Sequence, residues 1–159
     1  RKYTTEEYME SLERLRNAFP GCAITTDMIV GFPGETEEEF EKSLSFIRQC
    51  RFADMHIFPY SKRPGTPAAA MPGQLPNAVK EARSRRAIAV AQEMSETYRR
   101  SLTGTVQAVL VEGMEGEHSV GHAMNYVKIY IPGAYPRNEI QTVAVKSLYG
   151  DGVTGEVIQ

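Results

Sequence analysis

Residues 27–35, DMIVGFPGE, constrain the fold of this chain more than any other stretch, because an apolar run passes through a glycine-rich bend directly into an acidic helix start. Residues 26–30 read as a short buried strand. Gly31 and Gly34 remove the Cβ where the backbone turns, and Pro33 stiffens the bend between them. Thr36 and Glu39 have the spacing of a capping box, so a helix begins there. A loop between a strand end and a helix N-terminus is where α/β folds hold ligands, since the first N–H groups of the helix are unpaired. The same stretch also serves as plain punctuation between a strand and a helix. The residues alone leave both readings open.

The flanking segments repeat this unit. Residues 4–17 are expected as an amphipathic helix opened by a second capping box, Thr4 with Glu7, carrying Tyr8, Leu12, Leu15 and Phe19 on one face and stopped by Pro20-Gly21. Residues 23–30 form a nearly continuous apolar strand of the type buried on both faces in a parallel sheet; Asp27 within it is either satisfied locally or faces a site. Residues 36–50 form a second helix, with Phe40, Leu44 and Ile47 inward and Glu37, Glu38 and Glu39 as a solvated first turn. DMHIF at 54–58 is another strand. Helix, strand, helix, strand is the repeat of an α/β barrel or a doubly wound sheet, and two strands cannot close either one.

Residues 59–76 hold five prolines and two glycines in eighteen positions, which predicts an extended loop without regular structure. Arg63 is the side chain there best suited to grip a carboxylate or phosphate. Residues 77–101 read as a long helix with Ala87, Val90, Ala91, Met94 and Tyr98 at helical spacing. Its early cluster of Lys80, Arg83, Arg85 and Arg86 is either a solvated face or a patch for RNA phosphates. From Gly104 onward short β-branched segments alternate with glycines, and strands at 105–111, 119–123, 126–131, 140–148 and 153–158 suit a small OB-like all-β barrel. The expected division is therefore 1–76 for the α/β part, 77–101 for a connecting basic helix and 102–159 for the barrel.

Charge supports that division. The formal net charge of −2 argues against a polybasic nucleic-acid binder, yet the segments differ. Residues 1–76 carry nine basic and eleven acidic side chains, 77–101 six and three, and 102–159 three and six, so the helix is the one basic stretch. Tyr126, Lys128, Arg137 and Lys146 are the barrel's candidates for RNA. No apolar run is long enough for a bilayer and the N-terminal residues lack a secretory apolar core, which reads as cytoplasmic. Cys22 and Cys50 fit neither a zinc pattern nor a disulfide scaffold. The abrupt start at Arg1-Lys2 reads as a piece of something longer.

DMIVGFPGETEEEF, then HIFPYSKRPGTPAA, then a small barrel containing VLVEG and GHAMNYVKI, resemble the C-terminal half of the radical S-adenosylmethionine methylthiotransferases of the MtaB and MiaB type, with a TRAM-like terminal domain. The resemblance implies a partial (βα) barrel in which Ile29, Gly31, Gly34, Glu35, Phe58 and Tyr60 line the S-adenosylmethionine pocket. It assigns Arg63, Lys80, Arg83, Arg86, Tyr126, Lys128 and Arg137 to substrate or tRNA. It further implies a methylthio group placed on C2 of a hypermodified adenosine beside the anticodon, N6-threonylcarbamoyladenosine before isopentenyladenosine or a ribosomal protein. The family holds two [4Fe–4S] clusters through closely spaced cysteines, and this chain has neither set. The expectation is thus a fragment inactive by itself, with a bare strand edge open to pairing. A stand-alone RNA-binding module and a phosphate-binding α/β protein are the competing readings.

Overall fold

Both capping boxes form. Ahead of α1 (Thr5–Ala18) the Thr4 hydroxyl accepts from the Glu7 N–H, and the Glu7 carboxylate accepts the Thr4 N–H at 2.8 Å. Thr36 and Glu39 open α2 (Glu37–Cys50) in the same way. The computed structural model describes residues 2–158 in two units, one running to Ser95 and the other from Glu96. Arg16 donates to the carbonyls of Cys50 and Arg51, which places a cation and its N–H groups at the C-terminal end of α2. In α1, Leu12 is buried and Tyr8 and Met9 pack beside it. Leu15 and Phe19, expected on the same buried stripe, are 44% and 63% exposed because no layer covers that half of the helix.

β1 (Thr25–Val30) pairs in parallel with β2 (Asp54–Pro59), from Thr25 opposite Asp54 to Val30 opposite Pro59. Alternation then sorts the side chains. Met28, Val30, Met55 and Ile57 face a core of Phe40, Leu44, Ile47, Phe52, Ala87, Val90, Ala91 and Met94. Each of the larger side chains contributes on the order of 2 kcal/mol by leaving water. Thr25, Asp27, Ile29, Asp54, His56 and Phe58 lie on the opposite face and are exposed. The strand is therefore not buried on both faces, as its composition suggested. It belongs to a two-stranded sheet covered on one side only.

The proline-rich connection is not wholly irregular: Thr66 caps a short helix, α3 (Pro67–Ala70), whose first residue is the helix-compatible Pro67. The long helix α4 (Asn77–Ser101) follows. Its Ala87, Val90, Ala91 and Met94 belong to the core of the first unit, while Tyr98, with Leu102 just beyond the helix, belongs to the core of the second. The boundary thus falls inside α4, between Ser95 and Glu96, earlier than the expected 101–104.

The second unit is a closed five-stranded barrel of β3 (Val106–Glu115), β4 (His118–Ala123), β5 (Lys128–Pro132), β6 (Ile140–Tyr149) and β7 (Gly152–Val157), ordered β3-β4-β5-β7-β6. Only β5 and β7 pair in parallel. Val109, Val111, Ile129, Ile131, Val143, Val145 and Val153 fill the interior. Register shifts between Val111 and Gly113 and between Val145 and Ser147 bend the two long strands around the closure. Gly155 is required by close approach, since a Cβ there would stand 2.5 Å from the Ala144 carbonyl oxygen. No helix among the described residues is long and apolar enough to cross a membrane.

Candidate functional site

The bend after β1 is held from behind by α4. The Glu35 carboxylate accepts the Gly31 N–H at 2.8 Å and an Arg83 Nη1 hydrogen at 2.6 Å, and the same nitrogen reaches the Glu35 carbonyl at 2.9 Å. Arg83 also meets Glu37 through Nε and Nη2 at 3.3 and 3.1 Å. Its side chain is only 6% exposed, with Glu35 at 14%, so the pair is buried as well as bonded. Arg86, further out, pairs with Glu37 at 2.6 Å and with Glu41. These bonds hold the Glu37 carboxyl below the usual carboxylate range, through Arg86 first and Arg83 second.

Lys80 completes the brace. Its stem fills the space where a Gly31 side chain would be, and its Nζ donates to the Tyr60 carbonyl at 3.1 Å, tying the loop after β2 to the loop after β1. Gly31 has φ +71°, so both its backbone and its neighbour demand glycine. Three side chains expected to meet RNA, Lys80, Arg83 and Arg86, are thus engaged inside the protein. Of the acids expected as a solvated first turn, Glu37 alone partners these arginines, together with Glu35 and Glu41. The sequence signal was there, in acids at 35, 37 and 41 against arginines spaced i, i+3 on α4, but nothing local joins segments nearly fifty residues apart.

The open sheet face is free of such engagement. Ile29 and Phe58 are register partners and stand side by side, 55% and 51% exposed, at the C-terminal ends of both strands. Asp27 and His56 form the row before them, and Asp27, exposed, has no hydrogen-bond or ion-pair partner among the described residues. Phe32 and Tyr60 from the two loops meet edge to face at 5.3 Å, and the Tyr60 hydroxyl is buried without a partner. Along the unpaired edge of β1 runs a cleft of about 620 Å³ lined by Tyr3, Tyr8, Met28, Ile29, Glu35 and Phe46 among others. Of the six residues expected at the cofactor, Ile29 and Phe58 present free surface. Gly31 and Glu35 are tied to each other, and Gly34 gives its N–H to the Gly73 carbonyl.

The remaining candidates divide in the same manner. Arg63 is exposed in its loop, and Arg137 is exposed on the barrel. Lys128 pairs with Glu115 at 2.7 Å and Asp151 at 3.6 Å and lies 4.8 Å from the Tyr130 ring, contacts that push its pKa up and occupy its charge. Tyr126 is 87% exposed.

Residues 1–47 match the family model described as the radical SAM superfamily. More narrowly, the chain is similar over most of its length to tRNA methylthiotransferases. It is 39% identical over 91% of its length to the threonylcarbamoyladenosine tRNA methylthiotransferase MtaB of Bacillus subtilis, covering 37% of that protein. It is 52% identical over 73% of its length to the tRNA-2-methylthio-N(6)-dimethylallyladenosine synthase of Mycobacterium bovis, covering 23% of it, and 44% identical over 79% to that of Streptomyces viridosporus, covering 25%. The chain therefore spans well under half the length of these relatives.

The residues present fit one implied group and not the other. A cleft of this size, with Ile29 and the rings of Tyr3, Tyr8 and Phe46 in its lining, suits a nucleoside such as that of S-adenosylmethionine. An iron–sulfur cluster does not fit. Cys50 is buried with its thiol pushed up to about 11 by burial, Cys22 lies far from it in sequence, and no group of three metal-ligating side chains occurs among the described residues.

Proposed function

We propose that this chain forms part of a methylthiotransferase acting on C2 of N6-threonylcarbamoyladenosine in tRNA, supplying one wall of the S-adenosylmethionine pocket and a TRAM-like RNA-binding barrel. The observation that carries the reading is the 39% identity to MtaB extending over 91% of the chain, both units included. Ile29 and Phe58 would pack against the adenine, and the Tyr60 hydroxyl, buried and unpartnered, would find an acceptor or donor on the ligand. Bound S-adenosylmethionine supplies the methyl group and the radical chemistry of the superfamily. Lys80, Arg83 and Glu35 keep the two loops at a fixed separation, so the pocket wall is set before the ligand arrives. The chain's own cysteines hold no cluster, which makes it inactive by itself in a cytoplasmic reaction that needs the rest of such an enzyme.

A second reading has its own support in the 52% identity to the dimethylallyladenosine synthase. Nucleoside analysis of tRNA from cells lacking the gene separates the two. Loss of the methylthio group from threonylcarbamoyladenosine supports the first, loss from isopentenyladenosine the second, and no change in either removes both.

A further inference from the structure

The turn between β4 and β5 presents Met124 and Tyr126 almost entirely to solvent, at 90% and 87% exposure, while the residues on either side are buried. Tyr126 holds φ +62°, a conformation that a bulky side chain adopts only when the surroundings impose it. Here they do. The Asn125 side chain donates to the Tyr98 hydroxyl at 3.2 Å and accepts the Val127 N–H at 3.2 Å. The Tyr126 N–H donates to the Ala123 carbonyl at 2.9 Å, and the Ala123 N–H to that of Val127 at 3.0 Å. The tip is therefore anchored at its base and bare at its end. A rigid, strained turn that leaves an aromatic ring and a thioether in water has no account within the barrel itself.

Resting on the tRNA reading above, we infer that this tip is a stacking contact for an unpaired base of the RNA. Strain at an exposed aromatic is the kind of feature retained for an external contact. From Glu96 onward the unit carries five basic and seven acidic side chains, and Lys128 is already paired, so phosphate attraction is weak. Binding by such a unit has to draw on ring faces. A planar side chain with both faces open meets a splayed base without regard to sequence, and Met124 adds an adaptable apolar edge beside it.

The test is fluorescence anisotropy of labelled unfractionated tRNA against the 159-residue chain at fixed low salt. Tyr126→Phe keeps the ring and should bind as the parent does, whereas Tyr126→Ala should bind roughly 5- to 150-fold more weakly, the range for one lost base stack. Tyr126→Gly relieves the positive φ, so it should hold or raise the melting temperature while losing the same affinity. Equal affinity for the parent and Tyr126→Ala overturns the inference and leaves the tRNA reading intact. A parent chain that binds no tRNA overturns the barrel's RNA role and this contact with it. Unchanged tRNA binding together with loss of self-association in sedimentation would assign the tip to a protein contact, again against the inference.

Discussion

Replacing Arg83 with methionine should unfold the first unit at a clearly lower temperature than any other single change in the basic stretch of α4. The substitution keeps the stem and removes a guanidinium that is 6% exposed and bonded to Glu35, itself 14% exposed. Deleting one partner of a buried pair destabilises by about 3–5 kcal/mol. Glu35 would keep its bond to the Gly31 N–H, so the lower figure applies, and about 3 kcal/mol in a unit of this size lowers Tm by roughly 12–24 °C. Thermal melts followed by far-UV circular dichroism suit the measurement, because α1, α2 and most of α4 lie in this unit. Arg86→Met is the control: its side chain is 45% exposed, and its loss should leave the midpoint close to that of the parent. If both variants melt together, within about 4 °C of the parent, Arg83 is a surface charge in solution and the brace described here is wrong.

Other perturbations follow from the same geometry. Gly31→Ala, at φ +71° against the Lys80 stem, should destabilise by about 1–2 kcal/mol from the backbone alone and more from the overlap, and adding Lys80→Ala should recover the second part in a double-mutant cycle. Acid titration should weaken the first unit: Glu37, held down by Arg86 and then Arg83, and Glu39, held down by the Thr36 N–H and hydroxyl, contribute stability above the ordinary value of 4.5 that disappears as pH falls through their lowered folded pKa values. Thiol titration of the native chain should register Cys22 promptly and Cys50 only on unfolding, because burial raises the Cys50 pKa to about 11 and shields the sulfur.

Much of this fold could be read from local chemistry. Thr4 with Glu7 and Thr36 with Glu39 announced both helices because a capping box is complete within four residues. The five barrel strands announced themselves through β-branched runs between glycines. What escaped the sequence depends on partners far along the chain. The strand pattern alone read Ile29 as buried with its neighbours Met28 and Val30, although the family resemblance put it at the cofactor, and it is the one-sided packing of a two-stranded sheet that exposes it. Arg83 looked like a phosphate ligand because its acids, Glu35 in the bend after β1 and Glu37 at the start of α2, lie far away along the chain. Tyr98 sat at regular helical spacing after Met94, so periodicity gave no warning that the core it serves had changed.

That change of allegiance partway along α4 bears on how the two units could ever be exchanged or expressed apart. A cut at the loop after Ser101 would strip Tyr98 from the barrel's interior, whereas a cut at Glu96 would start a new chain in mid-helix with four amide groups unsatisfied. Neither half has a clean seam, so gene rearrangements that separate them should be selected against, and a usable barrel fragment should begin upstream of Glu96 with a full extra turn retained.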